Sequence, residues 1–544
     1  MILKQINVAV LLGLLACQCW PENLGAMSLF NRFRNKSKEV ATTILHHTPA
    51  YMVMDKAQTV WSNAIKKSLG DYPHRNEVAL VRTGSTLPEG EQTAIAARKK
   101  HNYEALKKML GTNLNPNECP SIAFCCSGGG YRAMIATLGF LMGAEEIGLL
   151  DATTYMSALS GSTWLLAPWL YRNISLQAYR DQLIPKVQKS LVKTSFNKSD
   201  LFKMYTTKMA FGQPTSSIDL WGALIINTLA KDLGSSGQKL RLSELAPRVE
   251  KGQHLFPIFT SALPCKGNKY EWLEFTPHEV GSPFLGGYYI PTWSFGRRFE
   301  KGSSIDNAPE QTMGYGLGIF GSAFAVSIAD AKKELPNIIP SHIFDLGEKL
   351  IPSATADWMA KHKSIDEKRF SPAIVHNFVY GIGGAQKSDE PVLTCVDGGL
   401  AFNLPFPPLL RPERGINIIV VCDASQTVKD APALHGAEEY ALRKGLKFPR
   451  INYEGIETRT MTVFKDETDR TVPVVIYIPW IRSNVYKHKE PKEADDYCKT
   501  TNFAYKPEQL ETLRKAMTDA VVSNKDNIVH EIRTFIETRR PIGH

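Results

Sequence analysis

The sequence SIAFCCSGGGYR, residues 121–132, joins an apolar run to three consecutive glycines. Residues 121–126 are predicted to form a buried strand, and residues 131–147 have helical spacing of apolar side chains. Glycines between a strand and a helix bring backbone N–H groups close to an anion, either a phosphate or the oxyanion of a reacting ester. The Rossmann spacing G-x-G-x-x-G and the Lys-Ser/Thr ending of a nucleotide P-loop are both absent. The alternative is a turn with a purely structural role.

Ser160 follows a second strand-like run, residues 154–159, and precedes a segment with helical spacing. A serine in such a place is exposed at the top of a sheet, as in the nucleophile elbow of hydrolases, and Gly161 relieves crowding in the tight turn. The local pattern is Ala-x-Ser-x-Ser rather than Gly-x-Ser-x-Gly, although small residues still flank the serine. Ser160 is therefore a candidate nucleophile, and the alternative is an ordinary helix N-cap.

Asp397 ends the strand-like run 392–396 and is followed by two glycines. If it faces Ser160, its carboxylate can accept the hydroxyl proton directly. In the competing Ser-His-Asp triad, the histidine has to follow the aspartate in the sequence. The histidines that do so, none of which ends a strand-like run, are His435, His488, His530 and His544. The sequence therefore favours a Ser-Asp dyad for acyl transfer, and the alternative for Asp397 is a plain Asp-Gly turn.

Strand-like runs alternate with helical spacing along most of the chain. Besides the three runs above, they comprise residues 257–262, 416–422 and 474–478. This alternation predicts an α/β fold, a three-layer α/β/α sandwich around a central, mostly parallel sheet. We expect one catalytic domain over residues 91–544. A cap over the site is expected as an insertion at about residues 307–369, where Pro336, Pro340 and Pro352 interrupt short helical pieces.

The amino-terminal residues have a different composition. Lys4 precedes an apolar run, residues 6–17, that is shorter than the ~20 residues a membrane-spanning helix needs. Residues 1–26 are therefore interpreted as a signal or lipoprotein-type segment, which implies export or lipid anchoring. The alternative is a buried helix, or a globular chain that begins at Met27 and stays in the cytoplasm. Residues 27–90 are expected to form an irregular extension.

The 544 residues carry a formal net charge of +10, with 22% charged and 43% hydrophobic residues. This composition is typical of a globular protein, and the positive charge favours an anionic partner. No zinc-finger or aromatic RNA-binding motif is present, so we expect a phospholipid membrane surface rather than a nucleic acid. The nine cysteines show neither a disulfide framework nor a pair of CxxC units, which predicts buried, reduced thiols and no zinc site.

Five longer blocks extend these motifs. They are CSGGGYRAM (126–134), LSGSTW (159–164), WLEFTP (272–277), FGSAF (320–324) and VDGGLAFNLPFPPLLRPERG (396–415). With these blocks in this order from about residue 92 to 540, the chain resembles the catalytic domain of the group IV cytosolic phospholipases A2, within the wider patatin-like class.

The resemblance implies roles for six residues. They are Ser160 as the acyl-accepting nucleophile, Asp397 as its base, Gly129 and Gly130 as the oxyanion hole, and Arg132 and Arg414 as supporting arginines that bind the substrate phosphate. The implied reaction is hydrolysis of a membrane glycerophospholipid, chiefly at the sn-2 ester, through an acyl-serine intermediate. Lysophospholipase and acyl-transfer activities also occur in such enzymes. Independently, the helix dipole disfavours a cation at the position of Arg132, so an anionic partner is expected there.

The chain departs from this family at its amino end. A calcium-dependent lipid-binding domain would precede the glycines, but the ~90 residues there are too few and lack the aspartate clusters that calcium needs. The chain therefore resembles the calcium-independent branch, and no metal or cofactor is expected. Two other functions stay open, a neutral-lipid or lysophospholipid esterase with the same dyad and a catalytically silent lipid-binding protein.

Overall fold

The structure, a computed structural model, describes seven stretches of the chain. They are residues 50–112, 114–191, 198–233, 239–267, 269–324, 372–486 and 496–539. The segment 1–26 and the part of the expected cap beyond residue 324 lie outside the described residues. The described stretches form two compact units, one of residues 50–75 and 198–215 and one of all the others.

The α-helices of the described residues cover both units. They are α1 (Ala50–Ser68), α2 (Glu89–Leu110), α3 (Gly130–Glu146), α4 (Leu149–Ala152), α5 (Gly161–Arg172), α6 (Leu176–Val187), α7 (Lys198–Ala210), α8 (Ser217–Ala230), α9 (Ala246–Val249), α10 (Met313–Phe320), α11 (Pro432–Lys444), α12 (Arg482–Val485), α13 (Pro507–Val522) and α14 (Lys525–Arg539). None of them is both long and apolar enough to cross a bilayer.

The smaller unit contains the helices α1 and α7. In α1, Val60, Trp61, Ala64 and Ile65 are three or four residues apart, so they share one face of the helix. The expectation of an irregular extension over residues 27–90 is therefore wrong for residues 50–68, where this spacing supports a helix of 19 residues.

The larger unit is built on a sheet. The strands are β1 (Arg82–Thr83), β2 (Ile122–Cys126), β3 (Thr153–Ala158), β4 (Phe256–Cys265), β5 (Lys269–Phe275), β6 (Glu279–Ser282), β7 (Tyr288–Pro291), β8 (Phe299–Glu300), β9 (Ser303–Ser304), β10 (Ala373–His376), β11 (Val392–Cys395), β12 (Ile418–Asp423), β13 (Thr462–Phe464) and β14 (Val474–Pro479). Ten of them form one sheet in the order β1-β7-β6-β5-β4-β3-β2-β12-β14-β13. The central strands β4, β3, β2, β12 and β14 are parallel, and the strands outside them are antiparallel.

Helices cover both faces of this sheet. Phe124 of β2 packs edge-on against Phe140 of α3, with 4.9 Å between the ring centres. The neighbouring side chain of Cys125 points to the opposite face, where it belongs to a core cluster with Ala94 of α2 and Leu434 of α11. Burial on both faces explains why β2 and β14 are apolar along their whole length. The predicted three-layer α/β/α fold is confirmed, with a parallel centre and antiparallel outer strands.

The strand that carries Asp397 lies outside the central sheet. β11 pairs with β10 as an antiparallel hairpin, and a single bridge between Ala262 and Val396 connects this hairpin to β4. The run 392–396 was expected to be one of the strands alternating with helices in the parallel sheet, and this expectation is wrong. Its apolar residues are buried in either arrangement, so composition alone did not distinguish the two.

Three parallel strands end together at one edge of the sheet. Cys126 of β2 is in register with Ala158 of β3 and with Cys422 of β12. The residues that follow these strands therefore meet at the carboxyl edge, which is where sites in α/β sheets commonly form.

Candidate active site

Ser160 occupies a tight turn between β3 and α5. Its backbone has φ 50° and ψ −119°, a region that a residue with a side chain adopts only under constraint. Gly161 makes the turn fit, because a Cβ at that position would collide with the backbone carbonyl of Gly130. Ser162 closes the turn, since its Oγ accepts from Leu159 N–H at 2.8 Å and donates to Cys126 O at 2.9 Å. This is the geometry of a nucleophile elbow.

The glycine loop, Gly128–Gly130, lies directly beside this turn. A Cβ on Gly128 would be 2.9 Å from the Ser160 Cβ, so only glycine fits there. Gly129 and Gly130 have φ values of 135° and 61°. Neither of their N–H groups donates a hydrogen bond to another described residue. Two unpaired backbone amides next to a serine are what an oxyanion hole requires.

Asp397 is the next residue to reach this edge, and it is buried, with 1% of its surface exposed. Its Oδ1 accepts from Gly399 N–H at 2.9 Å and its Oδ2 from Ala323 N–H at 3.4 Å. Burial raises the pKa of this carboxyl to about 6, and the Gly399 amide, the Ser160 hydroxyl and the Ala323 amide partly oppose that rise. A carboxylate of this kind can serve as a general base near neutral pH.

Ser160 and Asp397 are neighbours that have not closed into a hydrogen bond. The buried Ser160 Oγ has no partner of ordinary hydrogen-bond geometry, although it lies near enough to lower the pKa of Asp397. The two side chains are therefore close to each other but not hydrogen-bonded. Catalytic hydrogen bonds are often long until substrate is bound.

The described histidines do not complete a triad. His435 lies on α11 and stacks on the Tyr453 ring, with 3.6 Å between the ring centres. His530 is on α14. None of the groups that shift the pKa of Asp397 is a histidine. His488 and His544 are outside the described residues.

Arg132 lies next to the glycine loop but is buried and held by other groups. Its Nε donates to Ala424 O at 2.7 Å, and its Nη1 donates to Cys498 O at 2.7 Å and Thr500 Oγ1 at 2.9 Å. Its Nη2 lies against Gly129, where a Cβ would collide with it. Burial lowers the pKa of this guanidinium. Phosphate binding by Arg132, which the sequence led us to expect, would therefore use Nη2, the nitrogen that faces the glycine loop.

Arg414 is not brought together with the other predicted site residues. It precedes β12, at the amino edge of the parallel strands, and the six residues of β12 separate it from the carboxyl edge by about 20 Å. Its guanidinium forms ion pairs with Glu91 at 2.9 Å and Glu274 at 2.7 Å, and Nη1 donates to Pro408 O at 2.7 Å. This placement argues for a structural ion pair rather than a contact with substrate phosphate.

Two residues that the sequence did not single out hold the site in place. Ser322 Oγ accepts from Asp397 N–H at 2.7 Å, and Asn403 Nδ2 donates to Gly128 O at 3.0 Å. Both lie in the blocks that carry the family resemblance, which is the only signal in the sequence that could have indicated them.

The candidate site lies in a part of the chain that matches a known protein family. A family model for the lysophospholipase catalytic domain matches residues 122–440, more than half of the chain. The chain belongs to this family. The match begins at β2 and reaches α11, so it includes the glycine loop, Ser160 and Asp397.

Its curated relatives in this family are cytosolic phospholipases A2. The human zeta form is 31% identical over 480 residues, which is 76% of this chain and 54% of that protein. The mouse zeta form is 28% identical over 548 residues, or 85% of this chain and 63% of that protein. The resemblance to group IV cytosolic phospholipases A2 is confirmed at this level. The chain spans less than two thirds of the length of these relatives.

A solved member of the family shares the fold. Human GIVD cytosolic phospholipase A2 superposes with a TM-score of 0.70 at 24% identity, covering 84% of this chain and 66% of that one. The same human protein is also known in complex with methyl γ-linolenyl fluorophosphonate, where the TM-score is 0.65.

Proposed function

We propose that this protein is a phospholipid acyl hydrolase that works through a Ser160–Asp397 dyad and an acyl-serine intermediate. The observation that carries the proposal is the placement of Ser160 between the glycine loop and Asp397. Gly128 lies against the serine itself, and Gly398 lies against Leu159, the residue before it.

Acylation begins when Ser160 Oγ attacks the ester carbonyl and Asp397 accepts its proton. The carbonyl oxygen becomes negatively charged, and the N–H groups of Gly129 and Gly130 stabilise it. Collapse of this intermediate releases the lysophospholipid, which takes the proton back from Asp397. Water then attacks the acyl-serine with the same residues in the same roles, and the fatty acid leaves.

Glycerophospholipids, cleaved chiefly at sn-2, are the proposed substrates. The support is the set of relatives named phospholipase A2 and the human relative solved with a fluorophosphonate that carries a long unsaturated hydrocarbon chain. We place the substrate phosphate near Arg132 Nη2, beside Gly129. Acyl transfer to an acceptor other than water would use the same intermediate.

A lysophospholipid or neutral-lipid esterase is the second candidate. Two nitrogens of Arg132 are occupied by Ala424, Cys498 and Thr500, which leaves little of this cation for a phosphate. The matching family model is also that of a lysophospholipase domain.

The partner surface, metal requirement and location belong to the same proposal. A net charge of +10 supports binding to an anionic phospholipid surface. We propose that turnover is independent of calcium, as in the calcium-independent branch, and that residues 1–26 direct export or lipid anchoring. Addition of a calcium chelator to a vesicle assay should leave the rate unchanged.

The test is lipid mass spectrometry on mixed vesicles of phosphatidylcholine, lysophosphatidylcholine and triacylglycerol. Wild type should release fatty acid and lysophospholipid from phosphatidylcholine, while Ser160→Ala should release neither. The matched control is Ser523→Ala, because Ser523 is an exposed serine at the end of α13.

The substrate pattern decides between the candidates. Release only from lysophosphatidylcholine or triacylglycerol would favour the esterase. Vesicle binding by wild type without any fatty acid release would instead establish a catalytically silent lipid-binding protein.

A further inference from the structure

Asn403 lies where three segments of the candidate site meet. Its Nδ2 donates to Gly128 O at 3.0 Å and to Ser425 Oγ at 2.7 Å. Its Oδ1 would be 2.6 Å from a Cβ on Gly128 and 3.2 Å from a Cβ on Gly399. The side chain therefore touches both the glycine loop and the turn that carries Asp397.

We propose that Asn403 is a positioning residue that fixes the peptide between Gly128 and Gly129, so that the Gly129 N–H faces the reacting carbonyl oxygen. This inference rests on the proposed function, because it assigns a role within the same oxyanion hole.

The argument follows from the planarity of the peptide bond. The C=O of Gly128 and the N–H of Gly129 belong to one plane and, in the trans form, point in opposite directions. Holding the carbonyl therefore aims the amide away from Asn403. Ser127 Oγ also lies 3.3 Å from the same carbonyl oxygen, so two side-chain donors hold it.

The glycine loop needs such a restraint because a glycine has no side chain to limit its backbone conformation. Gly129 has φ 135°, in a region open to glycine, and its peptide can rotate at little steric cost. A rotated peptide would present the Gly128 carbonyl oxygen, a partial negative charge, where the oxyanion has to form. The amide of Asn403 opposes this rotation.

The orientation of the Asn403 amide is set by its partners. Gly128 O can only accept a hydrogen bond, so the atom that faces it has to be Nδ2. The second acceptor, Ser425, is held in turn, since its N–H donates to Asp423 Oδ1 at 2.9 Å and Tyr477 Oη donates to Asp423 Oδ2 at 2.7 Å. A buried chain of hydrogen bonds thus connects the sheet to the glycine loop.

Two variants of Asn403 test the role. Asn403→Ala removes both donors, and Asn403→Asp keeps the size but turns an acceptor toward the Gly128 carbonyl. We expect kcat on phosphatidylcholine vesicles to fall on the order of 10- to 100-fold in both, with KM changed less than about 3-fold, since the lost interaction acts in the transition state. The control is Asn452→Ala, an exposed asparagine that accepts from Glu454 N–H at 3.1 Å, and it should match wild type.

The labelling rate of Ser160 by an alkyl fluorophosphonate is measured on the same proteins. It depends on the oxyanion hole but not on which lipid is the substrate, so it separates this inference from the proposed function. Wild type that is labelled but does not cleave phospholipid would contradict only the proposed function. If Asn403→Ala does not fold, Asn403→Asp and Ser425→Ala give the answer.

Three results would overturn the inference. The first is that kcat and the labelling rate stay within about 2-fold of wild type in both folded Asn403 variants. Such a change is far smaller than the fall in rate that removal of an oxyanion-hole donor causes. The second is a rise in KM with kcat unchanged. The third is a wild-type protein that is not labelled at Ser160.

Discussion

Ser160 holds its hydroxyl on a backbone with φ 50° and ψ −119°, and Asp397 is 1% exposed beside it. The surroundings of Ser160 determine where its hydroxyl points, whereas the surroundings of Asp397 determine its pKa. The turn at Ser160 fixes the direction of the side chain, because the backbone packs tightly around it at Gly161 and Gly128. The pocket around Asp397 fixes base strength, because burial disfavours the ionised carboxyl.

The first prediction, at this scale, concerns pH. Asp397, the proposed base, can accept a proton only when it is ionised, and burial raises its pKa to about 6. We therefore expect kcat/KM to be constant above about pH 7 and to fall as the pH drops through 6, measured on phosphatidylcholine vesicles. A carboxyl with an ordinary pKa near 4 would keep the rate constant down to about pH 5, and that result would contradict the assignment.

The sequence indicated the proposed reacting residues more clearly than the residues that hold them in place. Ser160, Asp397 and the glycines each follow an apolar run, and that pattern is visible without a structure. Asn403 and Ser322 act through contacts between segments distant in the sequence, and nothing local distinguishes them from other polar residues. Arg414 shows the reverse error, since similarity of a motif did not reveal on which edge of the sheet it lies.

The contact of α3 with α13 bears on the site, because α3 begins in the glycine loop. Gly139 lies against the backbone carbonyl of Arg514, and a Cβ there would collide with it. Thr518 Oγ1 also donates to Gly139 O at 2.9 Å. The two helices can approach so closely at this point because residue 139 has no side chain.

The second prediction concerns this helix contact. Gly139→Ala should push α13 away from α3 and reduce the free energy of unfolding by about 1–3 kcal/mol, as overpacked cores do. Urea unfolding measures the change. The control is Gly316→Ala in α10, where the nearest atom to a new Cβ is Phe320 Cε2 at 3.4 Å.

Because that contact is ordinary packing, Gly316→Ala should be neutral or stabilising by up to ~1 kcal/mol. Equal destabilisation by the two substitutions would show that the close approach of α3 and α13 is not the cause.

Element type was predictable where periodicity was strong, as for β2, β3, β12 and β14. The partners of a strand were not, because β11 is apolar whether it joins the sheet or a hairpin. The helix α1 was missed although its apolar residues have helical spacing, because uncharged polar residues separate them.

Across the larger unit, a cluster of buried charges joins segments that are distant in the sequence. Arg414 pairs with Glu91 of α2 and Glu274 of β5, and Arg411 also pairs with Glu274. Burial disfavours the charged form of each group, but the opposite charges outweigh this effect. The net result is that the pKa of Arg414 is raised and that of Glu274 is lowered. The cluster therefore depends on both signs being present.

The third prediction is that Arg414→Met destabilises the fold by about 3–5 kcal/mol, because it leaves buried carboxylates without a cation. In protein that remains folded, KM for phosphatidylcholine should be unchanged, since the guanidinium of Arg414 is bound by Glu91 and Glu274. The control is Lys515→Ala, which removes an exposed pair with Asp519 and should cost less than ~0.5 kcal/mol. A large rise in KM at wild-type stability would restore the phosphate-binding role of Arg414.

The most direct test of the account is the rate at which an alkyl fluorophosphonate modifies Ser160 in wild type and in Asp397→Asn, with the modified peptide identified by mass spectrometry. The amide keeps the shape of the aspartate but cannot accept the hydroxyl proton as a base. We predict a single adduct on Ser160 in wild type and a rate lower by on the order of 10²- to 10⁴-fold in Asp397→Asn. An adduct on another residue, or equal rates in the two proteins, would contradict the Ser160–Asp397 dyad.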